Sequence, residues 1–317
     1  SCSRLQEVKV DGVCCYLPKI IRPLVQLHLV FKGPSIREFT FGQFVQSPYL
    51  LLATNLTPFL NKTPNFRDIL GPIGGLISFY CSIKIASLFL DGEKLGFVFF
   101  QISESLSISF NINGLGVIFG LVASGLWILA SIYTIGYMRG NKEKNQTRFF
   151  TFYSIAIFAA ICIAYSGNLL TLFIFYEVLT FSTYPLVAHK QNNEARKAGR
   201  LYMGILVGTS IIFLLPAIVI VWVLTGNLDF TEGGLLKGYI SMEYAPFLLA
   251  LFAFGIGKAA LMPFHKWLPA AMVAPTPVSA LLHAVAVVKA GVFSMLVVIT
   301  YVFGIDFLTE TNASVWL

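Results

Sequence analysis

The chain has 317 residues, of which 56 % are hydrophobic and only 12 % charged, with a formal charge of +7. A soluble domain of this size needs roughly 25 % charged residues to cover its surface, so lipid must cover this one. The positive balance does not point to nucleic acid, because the Lys and Arg residues fall mostly in short loops between apolar runs and form no basic stripe with interleaved aromatics.

Residues 1–69 form a poorly defined N-terminal segment. Residues 1–40 are mixed and mildly basic, without a clear period, and the first twenty do not read as a signal peptide. Cys2, Cys14, Cys15, Cys81 and Cys162 have no metal or redox spacing; Cys81 and Cys162 lie in apolar segments as small hydrophobes. Residues 41–60 are a weak, polar, Pro-interrupted candidate span.

From residue 70 the chain reads as all-α, a polytopic transmembrane helix bundle with about seven to eight spans. A crossing helix needs about 20 mostly apolar residues, and seven runs qualify: 70–90, 114–137, 149–165, 168–187, 200–225, 245–264 and 276–303. Asn113-Gly114 and Arg139-Gly140-Asn141-Lys142 bound the second sharply, and the tight turn Ser166-Gly167-Asn168 makes the third and fourth antiparallel neighbours. Loop 138–148 carries Arg139, Lys142, Lys144 and Arg148, and loop 188–199 carries Lys190, Arg196 and Lys197. Loops 91–113 and 226–244 are net acidic through Asp91, Glu93, Glu104, Asp229, Glu232 and Glu243. This alternation predicts cytoplasmic basic loops and external acidic ones.

A charge at the bilayer centre costs at least about 2.5–3.5 kcal/mol on insertion scales, so such residues are functional candidates. Glu177, in FIFYEVLT, lies about 13 Å along its span. Lys258, in FGIGKAALMPFHKW, is flanked by small residues that leave room for a neighbouring helix or water. Pro263, Pro269, Pro275 and Pro277 then predict a broken helix near 261–267, with a short amphipathic piece bearing His265, Lys266 and Trp267. Non-helical backbone at membrane depth is tolerated where it lines a wet cavity or is buried in protein. His283 and Lys289 share the last span, about 9 Å apart along its axis, where they could bridge water pockets at different depths. Lys84 reads as a snorkelling lysine, and His28 and His189 as ordinary polar positions. Glu177 and Lys258 are expected to face each other across their helices, directly or through one water, because a solitary charge at that depth is hard to retain.

The segment FGIGKAALMPFHKWLPAAMVAPTPVSALLHAVAVVKAG resembles the signature of the antiporter-like subunits of respiratory complex I and of Mrp-type monovalent cation/proton antiporters. The likeness covers roughly residues 70–303 and is most specific over 250–295. It implies a proton relay in which Glu177 is the membrane carboxylate, Lys258 the broken-helix lysine and His283 the following relay residue. Lys289, in VVKAG, resembles Mrp-type subunits A or D more than complex I chains. The resemblance further implies that 149–303 is the first of two inverted five-helix repeats. With no counterpart here to the family's second repeat, the chain reads as a fragment, set among other membrane subunits in a bacterial plasma membrane, moving protons and Na⁺ or K⁺. The alternatives are a proton-pumping subunit of NADH-quinone oxidoreductase and a truncated scaffold that only packs against partners. No haem, flavin, iron–sulfur or nicotinamide motif supports a redox enzyme in its own right.

Overall fold

The computed structural model describes residues 5–10, 13–18 and 64–310 apart from residue 104. The candidate span 41–60 lies outside them. Strands β1 (Leu5–Val10) and β2 (Val13–Pro18) form an antiparallel hairpin within a separate compact unit, residues 1–40.

The larger unit is a helical bundle. Among the described residues, six helices are long and apolar enough to cross a membrane: α1 (Pro64–Leu90), α2 (Gly114–Gly140), α3 (Gln146–Ala164), α4 (Leu169–Val187), α5 (Asn193–Thr225) and α7 (Thr276–Phe303). Between the last two lies the shorter apolar helix α6 (Ala245–Gly255), and α8 (Ile305–Glu310) follows. Asparagine sets three of the starts. Asn113, Asn168 and Asn192 each accept a hydrogen bond from the backbone N–H three residues on, at 2.7, 2.8 and 2.8 Å, which satisfies an orphan donor of the first turn. Large apolar side chains such as Ile118, Val122 and Leu129 of α2 remain exposed on its outer face, while Trp127 of the same helix is fully buried. Such an inverted surface requires an apolar solvent.

The connection 91–113 holds structure that the charge pattern did not indicate. Strands β3 (Gly96–Ser103) and β4 (Leu106–Asn111) form an antiparallel hairpin. It is stitched to the α3–α4 turn: Gly167 N–H donates to Ser109 O at 2.9 Å, and the Ser109 N–H to Thr171 Oγ1 at 3.0 Å. The 226–230 loop joins the same end, with Phe230 N–H donating to Gly167 O at 3.1 Å. The two acidic loops therefore meet at one end of the bundle. At the other end Arg148 Nη2 donates to the His189 carbonyl at 3.1 Å, joining the two basic loops.

The helix break is present but starts earlier than the prolines predict. Regular α-helix stops at Gly255, not after residue 260. Gly257–Ala259 is a single 3-10 turn, and Ala260 is left-handed with φ 57°. The cause is close packing. A Cβ on Gly255 would run into the backbone of Leu214, and one on Gly257 into the Thr209 side chain. Leu214 ends a π-helical turn, Ser210–Leu214, immediately before the α-helical stretch that holds Pro216. Proline lacks the ladder donor and crowds the turn before it, which the wider π turn relieves.

Candidate functional site

Lys258 sits inside the break and is fully buried. Its Nζ donates to the Tyr176 carbonyl at 2.7 Å and to Thr180 Oγ1 at 2.6 Å, and lies 3.1 Å from the centre of the Tyr176 ring. Its backbone N–H donates to Tyr176 Oη at 3.0 Å. One tyrosine thus holds both ends of the residue: hydroxyl to main chain, carbonyl and ring face to amine. Tyr176 and Thr180 stand one turn apart on α4, so both face residue 258. A ring face and two partly negative oxygens suit a buried amine, charged or neutral.

The freed backbone of the break is satisfied from α4, through the Tyr176 hydroxyl, and from the following turn. Trp267 Nε1 donates to the Gly257 carbonyl at 3.0 Å, and the indole packs edge-on to Tyr202 with ring centres 5.5 Å apart. Tyr202 Oη shares a hydrogen bond of 2.6 Å with Thr183 Oγ1 on α4. On the far side, a Cβ on Gly291 of α7 would collide with the backbone of Lys258 and Ala259. Only glycine lets α7 close on the break.

Glu177 is part-buried on α4, rotated by about 100° from Tyr176. Glu177 and Lys258 form no ion pair, and Glu177 Oε1 is buried without a hydrogen-bond partner. The Lys258 amine is instead turned onto Tyr176 and Thr180, with the Glu177 Oε1 left unengaged. His283 lies within a second π turn, Leu281–Val285 of α7, half-buried, its Nε2 enclosed and unpartnered. Lys289 stands apart from these three. Its side chain is exposed, and it has no hydrogen bond or ion pair among the described residues. Lys84 is exposed, its Nζ 5.8 Å from the centre of the Tyr80 ring.

Sequence reasoning missed Tyr176 and Thr180, which look like ordinary members of an apolar run. The signal available was polar atoms at i and i+4 beside a membrane carboxylate. It also missed a buried charge cluster at the basic end. Asp68, 3 % exposed, accepts from Arg67 Nε at 2.8 Å and from Arg139 Nε at 2.6 Å. Arg67 also reaches Thr147 Oγ1 and Gln146 Oε1, each at 3.0 Å, and stacks over Phe150. His189 is no ordinary surface position: it is 4 % exposed, edge-on to Phe149. Burial, reinforced by the nearby Arg148, holds its imidazole below the usual histidine range.

Residues 166–316 match a family model described as NADH:quinone oxidoreductase/Mrp antiporter, TM, and residues 99–150 match NADH-Ubiquinone oxidoreductase (complex I), chain 5 N-terminus. The chain belongs to this family of antiporter-like membrane subunits. Among family members, it is 30 % identical over 262 residues to a Staphylococcus haemolyticus protein named as antiporter subunit mnhA2, covering 80 % of this chain and 32 % of that one. A Staphylococcus epidermidis protein of the same name is 28 % identical over 236 residues, covering 74 % and 29 %. The chain thus spans about a third of the length of these curated relatives. Two solved structures share the fold at 21 % identity. One is the archaeal membrane-bound sulfane sulfur reductase, a respiratory membrane complex, with a TM-score of 0.66 over 81 % of this chain and 52 % of that one. The other is the Mrp complex from Dietzia sp. DQ12-45-1b, at 0.63 over 79 % and 27 %.

Proposed function

We propose that this chain is the proton-translocating part of an Mrp-type monovalent cation/proton antiporter subunit, working among other membrane subunits. The observation that carries the reading is a fully buried lysine in a broken helix beside a carboxylate with an unengaged oxygen. A structural ion pair would be closed, since an uncompensated buried charge is costly. Here the geometry leaves a proton-binding group with two possible partners. Glu177 and Lys258 form the switch: association favours the protonated amine, and separation lets it release the proton. His283, enclosed with a free ring nitrogen, is the next acceptor, and Lys289 presents the onward group on the exposed face of α7. The Mrp side of the family is preferred because the relatives that cover most of this chain are named as antiporter subunits. The basic loops are assigned to the cytoplasm by their charge.

The test is proton flux in inverted membrane vesicles holding the complete subunit in its assembled complex. Glu177→Gln and Lys258→Met should each reduce cation-driven flux to background. Flux that survives both changes overturns the relay and leaves a packing role.

A further inference from the structure

The site contains a feature that a simple carboxylate–lysine switch does not require. Lys258 is seated on neutral groups: the Tyr176 carbonyl at 2.7 Å, Thr180 Oγ1 at 2.6 Å and the Tyr176 ring at 3.1 Å. Thr180 Oγ1 also donates to the same Tyr176 carbonyl at 3.1 Å, which closes the seat into a triangle of three polar atoms. The Tyr176 hydroxyl fixes the Lys258 main chain independently, so the side chain can swing without moving its backbone. Glu177 is the next residue on α4, and its Oε1 is buried and empty-handed. A turn of the lysine side chain about α4 would exchange one set of acceptors for the other.

We infer that Tyr176 and Thr180 are positioning residues that form a second, neutral seat for the Lys258 amine, and that the relay switches by moving this amine between that seat and the Glu177 carboxylate. The inference rests on the relay reading above and adds the counterweight it lacks. With no alternative acceptor, a buried amine beside a carboxylate would stay with it. The seat offers competing hydrogen bonds of good length, so occupancy of the two positions is balanced. Among the described residues, the groups around Lys258 leave few other candidates. Tyr202 on α5 is engaged with Thr183, while His265, Lys266 and Lys289 are exposed. Glu177 is the acid that directly follows the seat's Tyr176 on α4, and its Oε1 is unpartnered.

The direction of the effect follows. A carboxylate favours the protonated amine more than neutral oxygens do. Removing the seat therefore biases Lys258 towards Glu177, and proton release needs a higher pH. In the assembled complex, Thr180→Val should move the pH profile of cation-driven proton flux upwards by roughly one pH unit, the tenfold scale of a single charge-assisted hydrogen bond. Thr180→Ser, which restores the oxygen, should return the profile to that of the unmodified protein. A merely structural threonine would lower the amount of active complex without moving the profile. If Thr180→Val does not accumulate, Thr180→Ala decides, since it removes the same seat oxygen with a smaller side chain; the same upward shift is expected, while Tyr176→Phe, which keeps the carbonyl and the ring, should leave the profile in place. The seat is overturned if Glu177→Gln abolishes flux while the deciding variant leaves the profile in place. If Glu177→Gln transports normally, the relay itself fails, and the seat with it.

Discussion

Two buried cations in this bundle are held in opposite ways. At the basic end, Arg67 is locked to Asp68, whose second oxygen takes Arg139 at 2.6 Å, and the remaining donors find Thr147, Gln146 and Asn65. This closes the start of α1 onto the end of α2 and the start of α3. In the break between α6 and α7, Lys258 has a carboxylate neighbour but rests on a carbonyl, a hydroxyl and a ring. The ingredients are alike: a buried cation, an acid within reach, and polar side chains to complete the shell. The first cluster satisfies every strong group and has nowhere to go. The second leaves an acceptor on Glu177 unused, as the proposed switch would require. The guanidinium suits the first role because it stays charged and its planar fork meets several acceptors at once. The lysine amine suits the second, being a compact group on a flexible stem that can gain or lose its proton when buried.

The strongest way to break this comparison is to open the lock. Asp68→Ala leaves Arg67 buried without its counter-charge, and removing one partner of a buried pair typically costs about 3–5 kcal/mol. Thermal unfolding of the detergent-purified protein should show a steep loss of stability. A midpoint equal to that of the unmodified protein would mean that the cluster is solvated and not a lock. Gly291→Ala should come next. Its methyl would meet the backbone of Lys258 and Ala259, and overpacking of this kind costs roughly 1–3 kcal/mol. Lower thermal stability is expected, and undiminished stability would show that the break is loosely packed.

Lys258→Met sharpens the contrast from the other side. Among the described residues Lys258 is in no ion pair, so replacing it with an apolar side chain of similar length removes the cost of burying an amine together with two hydrogen bonds; stability should stay within about 1 kcal/mol of the original or rise while transport is lost. A destabilisation as large as that of Asp68→Ala would make Lys258 a structural cation after all. The smallest effect belongs to His189, outside the spans. Its imidazole is held below the usual histidine range by burial first and by Arg148 second. The unfolded chain therefore takes up a proton before the folded one does. The stability that His189 contributes is complete above about pH 6.5 and declines as pH falls from there towards the lowered folded value. His189→Gln should flatten that part of the stability–pH curve, measured as the unfolding midpoint between pH 5 and 7.5. An unchanged slope would remove His189 from the account.

Much of the bundle was legible because lipid imposes a length. The runs 114–137, 168–187 and 276–303 became helices Gly114–Gly140, Leu169–Val187 and Thr276–Phe303, and the asparagines before the first two serve as caps. Lys258 was legible because a lysine among glycines and alanines in an apolar run has few bland explanations. The onset of the break was not legible from Pro263. Gly255 and Gly257 read locally as ordinary small residues, and their meaning lies in Leu214 and Thr209, more than forty residues earlier. The β3–β4 hairpin was missed for a related reason: its outer strand is exposed along most of its length, and its anchoring comes from Ser109 meeting Gly167 and Thr171.

By itself the sequence determined the apolar solvent, the approximate ends of six of the seven expected apolar helices, and which ionisable residues fall within apolar runs. These follow from transfer free energies and backbone hydrogen bonding, which act residue by residue along one helix. Partnership was decided only by tertiary structure. Arg67 and Arg139 both look like charges near a helix end, and Tyr176 and Thr180 look like filler, until packing brings Asp68 between the arginines and Lys258 onto the tyrosine. A hydrogen bond is decided over tenths of an ångström, and that scale is set by how glycines such as Gly255, Gly257 and Gly291 let neighbouring backbones approach. Composition carries the cost of burying a charge; only the packed bundle specifies what answers it.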